Sequence, residues 1–551
     1  MTRLVQNARS YKYLHIISFV PLAILWAPMA FFGFHPFHEG FMLATLNLTT
    51  EAIKTGDPLP FNQYGPFWAL PYLAMELLPL GGFTFLAQRI ISIIIIFLSA
   101  IVIRRLSLEF HSRKTSLMIA WLFLLIYPFG QPSIIWPSIP AQFALLALVW
   151  SVLRSLRSTT TFHTLIASFL TIFLLGSRIQ IGILSLICTI MIFIIAKNFK
   201  VLAHYSLYTI TILGLFISTF RHLGLLQNTV FDSLVFPFTY LDPNVGALTL
   251  PRTSIAITIA LFFLFFSLRQ IRRLKTLASV LLVLFGIVFF SLIILSLSSQ
   301  VTYLKVYARI YVGFFLFIVI SILLLILQSL RQSEHRFALK ELSLYLYSLV
   351  GAAQIVPLFD VFHAWYASAP LIIALPLILK EKNVLAILPI RSIWVWAGSL
   401  VLVSGTLFGI QALQGFSNNV KHFPLDEVKG IYLSPQQASD LEKQFTYFKS
   451  NIPKGARVLN LCSHADPFFP RKYWSSESRF FVYWQAFSRF NLLEQELRKA
   501  DYVINCTSLD SLSYESRQLL QNDFSEIENG QEVFSWGRRW EIYRRVQEVS
   551  D

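Results

Sequence analysis

Residues 83–103 read FTFLAQRIISIIIIFLSAIVI, and Arg104, Arg105, Arg113 and Lys114 come next. A segment of about 20 predominantly apolar residues is what crossing the hydrocarbon of a bilayer requires. Basic residues at its end mark that end as cytoplasmic. The composition says the same of the whole chain. Apolar residues fill 55 % of 551 positions and charged residues only 13 %, against roughly a quarter charged in a soluble domain. The sequence is that of a polytopic α-helical membrane protein.

Working outward from 83–103, apolar windows alternate with basic connections. The expected spans are 13–32, 83–103, 115–130, 138–153, 162–176, 181–196, 201–219, 254–268, 276–297, 307–328, 342–358, 364–380 and 392–413. This makes about 13 transmembrane helices, N-terminus in and C-terminus out. Inner connections carry Arg3, Arg9 and Lys12, then Arg154 and Arg157, Lys197 and Lys200, Arg269 to Lys275, Arg331 to Lys340, and Lys380 to Arg391, as the positive-inside rule asks. The shorter runs between 115 and 196 leave room for a re-entrant piece. The net charge of +16 is spent in these clusters, so nucleic acid is not an expected partner; the bilayer is. The first apolar run is too long for a cleavable signal, and no small-residue cleavage site follows it. The expected location is a cell (inner or plasma) membrane.

The chain divides into a transmembrane domain, 1–415, and a polar remainder, 416–551. The latter mixes strand patterns at 456–462, 502–506 and 539–544 with amphipathic helix patterns at 492–500 and 514–522. A small α/β domain on the extracytoplasmic side is expected. Cys188 falls in an apolar run and reads as a packing residue. Cys462 and Cys506 end two expected strands, either as a disulfide or as two buried thiols. No Cys/His spacing resembles a zinc site.

Polar groups near membrane depth are costly, so they pair, line a wet cavity or serve function. Four sets gather on the outer side. The first outer loop, 33–82, holds His38 and Glu39, the turn Gly56-Asp57-Pro58, and Gln63-Tyr64-Gly65-Pro66. Glu39 reads either as a catalytic carboxylate or as the cap of a helix beginning at Gly40. Arg178 stands at an outer turn, where basic residues are unfavoured. It suits a phosphate or pyrophosphate, or it snorkels or pairs internally. Asp360 and His363 share a helix face and could bind a sugar, hold a metal or orient each other. Trp365 and Tyr366 could stack on a sugar ring or stand as ordinary interfacial belt residues, the belt reading being favoured for Tyr366. Lys305 and Arg309, spaced i and i+4, form a cationic face for a lipid phosphate or for ordinary headgroups. Asp232, Asp242 and Arg252 read as solvated loop residues.

On His38-Glu39-Gly40, Gly56-Asp57-Pro58-Leu59-Pro60, Gln63-Tyr64-Gly65-Pro66, Asp360-x-x-His363 and the overall topology, the chain resembles the GT-C superfamily of polytopic glycosyltransferases. Within it, the likeness is to the bacterial branch related to protein mannosyltransferases and lipopolysaccharide core glycosyltransferases. The resemblance implies transfer of a sugar from a polyprenyl-phosphate donor to a glycolipid, glycan or protein acceptor, inverting, with Glu39 as base. It implies substrate-binding roles for His38, Asp57, Gln63, Tyr64, Arg178, Lys305, Arg309, Asp360, His363 and Trp365. Many members carry two adjacent acidic residues in the first loop. Here His38 precedes Glu39, so a divalent metal is not supported by a carboxylate pair and no cofactor is required. The competing class is a flippase or transporter of a lipid-linked glycan or small molecule. It would call for internal repeats and acidic groups at mid-membrane, which the sequence does not show.

Overall fold

A computed structural model describes residues 19–31, 41–55, 64–74, 84–125, 135–157, 161–235, 255–260, 312–313, 315–327, 338–355, 361–381, 430–433, 435–461, 492–505, 509, 512–527 and 541–546. The larger part is a helical bundle with one continuous apolar core. Its helices are α1 (Val20–Phe31), α2 (Phe41–Thr55), α3 (Phe85–Ser107), α4 (Arg113–Leu125), α5 (Ser138–Ser155), α6 (Phe162–Ser177), α7 (Ile179–Ile195), α8 (Phe199–His222), α9 (Leu339–Ala352) and α10 (Val361–Glu381). Among the described residues α3, α5 and α8 are long and apolar enough to cross a membrane, and shorter apolar helices, Phe315–Leu327 among them, stand beside them. The expected spans 276–297 and 392–413 lie outside the described residues.

The β-branched run of α3 is helical because a bilayer leaves the backbone no partner but itself. Thr84 starts it, its hydroxyl accepting from the Ala87 N–H at 3.2 Å, and Arg104 and Arg105 close its last turn, where cations offset the helix dipole. Asn198 caps α8 in the same way through Val201. α8 runs along the outside of the bundle, with Ile210 69 % and Leu215 66 % exposed. Such a surface suits lipid.

Inside, small and hydroxylated residues join the helices, as expected where lipid gives no hydrophobic drive to associate. Thr171 bonds the Tyr205 hydroxyl at 2.8 Å and Thr189 that of Tyr347 at 2.6 Å. Ser168 donates to the Tyr205 carbonyl at 3.1 Å. Cys188 is a buried free thiol in this packing. α6 and α7 form a tight hairpin: a Cβ at Gly182 would run into the backbone of Leu175, whereas one at Gly214 on α8 would meet nothing within 4 Å. Alanine normally stabilises a helix over glycine by about 0.5–1 kcal/mol. Thermal unfolding in detergent should therefore show opposite signs: Gly214→Ala neutral or stabilising, Gly182→Ala destabilising by about 1–3 kcal/mol. A Gly182→Ala protein as stable as the wild type would remove the close-approach explanation.

The alternation of the helices sorts charge by end. At one end Glu109 takes Arg154 (3.0 Å) and Arg157, and Lys340 donates to its backbone carbonyl at 3.1 Å. Arg104, Arg105, Arg113, Lys114, Lys197 and Lys200 belong to this end. At the other end lie Phe31, Thr84, Tyr64, Trp136, Arg178, His222 and His363.

The described residues from 435 onward form an α/β unit with its own sheet. Its sheet has the order β1-β2-β4-β3, with β1 (Val458–Asn460), β2 (Tyr502–Asn505), β3 (Phe524–Glu526) and β4 (Glu541–Arg545). β1 and β2 are parallel with Leu459 opposite Val503, and β4 is antiparallel to both β2 and β3. Alternate residues of β2 serve two cores. Tyr502 and Ile504 pack on Phe448 of α11 (Pro435–Asn451) and on Ile452 just beyond it. Val503 packs with Leu493 and Leu497 of α12 (Leu492–Lys499) and Leu520 of α13 (Tyr514–Asp523). The expected strands near 456–462, 502–506 and 539–544 and both expected helices are present; α11 and β3 are additions to the sequence reading. Cys462 and Cys506 lie outside the described residues.

The unit is tied to the bundle at the end that holds Arg178. The Tyr432 N–H donates to the Phe31 carbonyl at 2.6 Å, and Ile431 and Leu433 are buried in the bundle core. Phe231, just beyond α8, packs against the α/β core. Its neighbour Asp232 is only 3 % exposed, which corrects the reading of that residue as a solvated loop charge.

At the start of β2, the Asp501 carboxylate accepts from Arg457 through Nε (3.1 Å), Nη2 (2.7 Å) and the backbone N–H (3.1 Å). These bonds hold its pKa below the ordinary aspartate value. The stabilisation is thus present above the unfolded-state pKa, near 3.9, and is lost as pH falls through the depressed folded value. Because both side chains are substantially exposed, it is worth less than about 1 kcal/mol. Asp501→Asn is expected to lower the unfolding temperature slightly at pH 7 and to lower it less at pH 2. An equal loss at both pH values would assign the effect to packing instead.

Candidate functional site

Arg178 is built into the break between α6 and α7. Its own backbone is extended (φ −149°) and it serves as the N-terminal boundary of α7 without a side-chain cap. The guanidinium turns inward: it is 5 % exposed, donates to the Ser138 hydroxyl, and stands over the Tyr64 ring at 5.3 Å. Arginine over an aromatic face in a dry setting is attracted by the ring quadrupole.

Tyr64 reaches Arg178 for a local reason. Gly65 takes a positive φ of 78°, turning the chain into the short helical stretch Phe67–Ala69. Phe67 then lies against Gly176, where a Cβ would run into its ring. Glycine two residues before Arg178 therefore lets the Tyr64 segment dock onto the α6–α7 turn. Phe67 also meets Phe216 of α8 at 3.9 Å between centroids, which fixes the segment from its other side.

The cluster continues through Trp136. Its ring is edge-on to Tyr64 at 5.5 Å and edge-on to His363 at 6.3 Å, and His363 in turn meets Tyr366 at 6.2 Å. Trp136 and Ser138 flank Pro137, the residue that opens α5, a position where proline costs no hydrogen bond. Four separated stretches of sequence thus supply Tyr64, Trp136 with Ser138, Arg178 and His363 to one end of the bundle.

His363 stands in the first turn of α10, a helix that carries Pro370 and Pro376 in its interior. Pro370 has no N–H, so the Tyr366 carbonyl four residues earlier loses its helical partner. Gln142 of α5 replaces it, its Nε2 donating to Tyr366 O at 2.9 Å and to Trp365 O at 3.3 Å. Nearer the basic end, His111 bonds the Ile373 carbonyl at 2.9 Å, beside the second proline, Pro376.

Of the residues read from the sequence, the structure brings Tyr64, Arg178 and His363 together. Trp365 belongs to the core: it is fully buried, stacked on Phe123 at 4.9 Å, and its indole N–H donates to the Phe123 carbonyl at 3.2 Å. This corrects the sugar-stacking role expected of it. Tyr366 is also buried, at 1 %, so the belt reading is corrected as well. Glu39, His38, Asp57, Gln63, Lys305, Arg309 and Asp360 lie outside the described residues.

Trp136, Ser138, Gln142 and Arg89 are absent from the sequence reading. The Trp-Pro-Ser start of an apolar helix is a usable signal for the first two. Arg89 is a fully buried cation within the Ile-rich run of α3, and its Nη1 donates to the Ala30 carbonyl at 3.4 Å. A charge inside such a run is itself a functional signal. Among the described residues no group of three His, Cys, Asp or Glu side chains is placed to hold a metal.

No protein-family model matches the chain, and no curated protein matches it. Among solved structures it is similar to the oligosaccharyltransferase AglB of Archaeoglobus fulgidus in complex with an inhibitory peptide and a dolichol-phosphate. That likeness has 14 % identity and a TM-score of 0.49, over 91 % of this chain and 70 % of that one. It is also similar to ArnT from Cupriavidus metallidurans bound to undecaprenyl phosphate, at 12 % identity and a TM-score of 0.44 over 99 % of each chain. At these identities the role of each side chain rests on its own chemistry and surroundings.

Proposed function

We propose that this chain is a membrane glycosyltransferase of the GT-C type, moving a sugar from a polyprenyl-phosphate donor to an acceptor hydroxyl on the extracytoplasmic side. The observation that carries the reading is the convergence of Arg178, Tyr64, Trp136 and His363 at the bundle end opposite the basic cluster around Glu109. The positive-inside rule places the basic end in the cytoplasm. The site and the α/β unit, joined to the bundle at Phe31, then face outward.

In the scheme, Glu39 takes the proton of the acceptor hydroxyl as its oxygen attacks the anomeric carbon. The bond from that carbon to the phosphate oxygen breaks, the phosphate leaves with the electron pair, and the anomeric centre inverts. Arg178 holds the developing phosphate charge, with Lys305 and Arg309 as further cations on the same side. Tyr64 and Trp136 offer aromatic faces and edges of the kind that bind sugar rings. Glu39 works alone in this scheme, without a metal, because no second carboxylate precedes it.

The test is transfer of label from a panel of polyprenyl-phosphate sugars in membranes containing the full chain, with native cell envelope supplied as acceptor. Transfer from one donor with release of polyprenyl phosphate is expected. If no donor is either bound or consumed, the reading fails.

A further inference from the structure

We infer that Gln354, together with Gln142, forms a hydroxyl-reading floor beneath the Arg178 cluster that selects the sugar of the lipid-linked donor. The inference rests on the glycosyl-transfer reading above and adds the part of the substrate that this level of the bundle recognises.

The level is set by Gly351, where three helices meet. A Cβ on Gly351 of α9 would lie 3.3 Å from the Ala367 carbonyl oxygen of α10 and 3.4 Å from Leu145 Cδ2 of α5. One turn toward the Arg178 end, about 5–6 Å along each axis, the three chains present Gln354, His363 and Gln142. Gln354 sits in the 3₁₀ turn Ala353–Ile355 that continues α9, and this turn packs against α7 and α10. Ser138, the partner of Arg178, is one further turn out along α5. The cation and the glutamines therefore stand at successive depths.

Both glutamines are 1 % exposed. Among the described residues neither amide atom of Gln354 has a hydrogen-bond partner, and Gln142, which spends its Nε2 on the carbonyls of α10, has its Oε1 unpartnered. Leaving a buried amide unmatched is costly, whereas replacing it with an apolar group of the same shape would cost nothing. Amides kept at such a place point to a ligand that meets them. A carboxamide offers two donors and one acceptor in a plane, and a sugar hydroxyl both donates and accepts. An anionic phosphate would waste the acceptor oxygens and is served one turn outward by Arg178. A site built to hydrogen-bond hydroxyls discriminates strongly against a ligand that lacks them.

The experiment measures binding of two probes to the purified full chain in nanodiscs: the polyprenyl-phosphate sugar found active above, and the same polyprenyl phosphate without sugar. The isosteric variant Gln354→Met is expected to bind the sugar-bearing lipid about tenfold more weakly or worse. Its binding of the bare lipid phosphate should stay within about twofold of wild type. Its ligand-free unfolding temperature should match or exceed the wild type, because an unmatched amide has been removed. Should Gln354→Met fail to fold, Gln354→Asn, shorter but still polar, is expected to show the same selective loss. Equal losses for the two lipids, or no loss for either, would overturn the sugar assignment while leaving the glycosyltransferase reading intact. Wild-type protein that binds neither lipid would overturn both.

Discussion

Glu39→Gln is expected to lower sugar transfer by about 10²–10⁴-fold while leaving donor binding and thermal stability near wild type. Glu39 stands in the nine-residue connection 32–40, between the end of α1 at Phe31 and the start of α2 at Phe41. Phe31, the residue before that connection, lies at the end that carries Arg178 and His363. Gln keeps the size and hydrogen-bonding shape of Glu but cannot take a proton, so a base is lost without a change in packing. The alternative role, capping α2, predicts something different. α2 has no acidic residue in its own first turn, so Glu39 would be its nearest anion to the positive end of the dipole. Losing that charge would cost roughly 0.3–1 kcal/mol of stability with little effect on rate. The two roles separate in one pair of measurements, single-turnover transfer and thermal unfolding on the same preparation. A small drop in unfolding temperature with transfer undiminished would assign Glu39 to the cap and move the base to another outer carboxylate, Asp360 first.

The parts of the fold legible in the sequence are those where one physical demand dominates. In α3 the demand is hydrocarbon: the nineteen residues 85–103 with a single charge, Arg89, closed by Arg104 and Arg105, have no alternative to a helix. In the α/β unit it is alternation, since Val503 and its neighbours Tyr502 and Ile504 must serve opposite faces of one sheet. α11 escapes such reading because its apolar residues are few and its helix is held mainly by Phe448 and Ile452 against β2. β3 escapes because three residues, Phe524–Glu526, are too short to show a period, and their strand character comes from pairing with β4.

The site divides in the same way. Arg178 stands out because a basic residue is out of place on what the sequence marks as the outer side, and His363 because it follows Asp360 by three. Trp365 misleads because an aromatic residue at a helix start has the same sequence signature whether it faces a ligand or Phe123. Gln142 carries no signal at all. Its bond to α10 answers to Pro370, 228 positions later, whose missing N–H leaves the Tyr366 carbonyl to be satisfied from α5. Gly176 is similar: its value is the room it leaves for Phe67, which brings Tyr64 over Arg178. Contacts of this kind belong to the tertiary fold and cannot be read from spacing along the chain.

Arg178→Leu is expected to lower transfer by about 10²–10³-fold, the usual effect of removing a donor that stabilises charge developing in a transition state. Arg178→Lys should fall between Leu and wild type. Lysine keeps the charge but loses the planar fork that can hold two phosphate oxygens while lying over the Tyr64 ring. The comparison of rate with affinity decides what the residue does. If Arg178 acts on the departing phosphate, kcat falls more than donor affinity does, and the loss is greatest for the step that breaks the bond to the lipid phosphate. If it only pins the α6–α7 turn by way of Ser138, thermal stability falls together with activity. Ser138→Ala would then reproduce much of the loss, since it removes the same hydrogen bond from the other side. Tyr64→Phe keeps the ring beneath the guanidinium and should be nearly silent in both readouts, whereas Tyr64→Ala removes the face and should weaken transfer by about tenfold or less. Arg178→Leu protein with wild-type kcat and wild-type donor affinity would take the cation out of the mechanism. The phosphate would then have to be held by other cations, with Lys305, Arg309 and the buried Arg89 the residues to replace next.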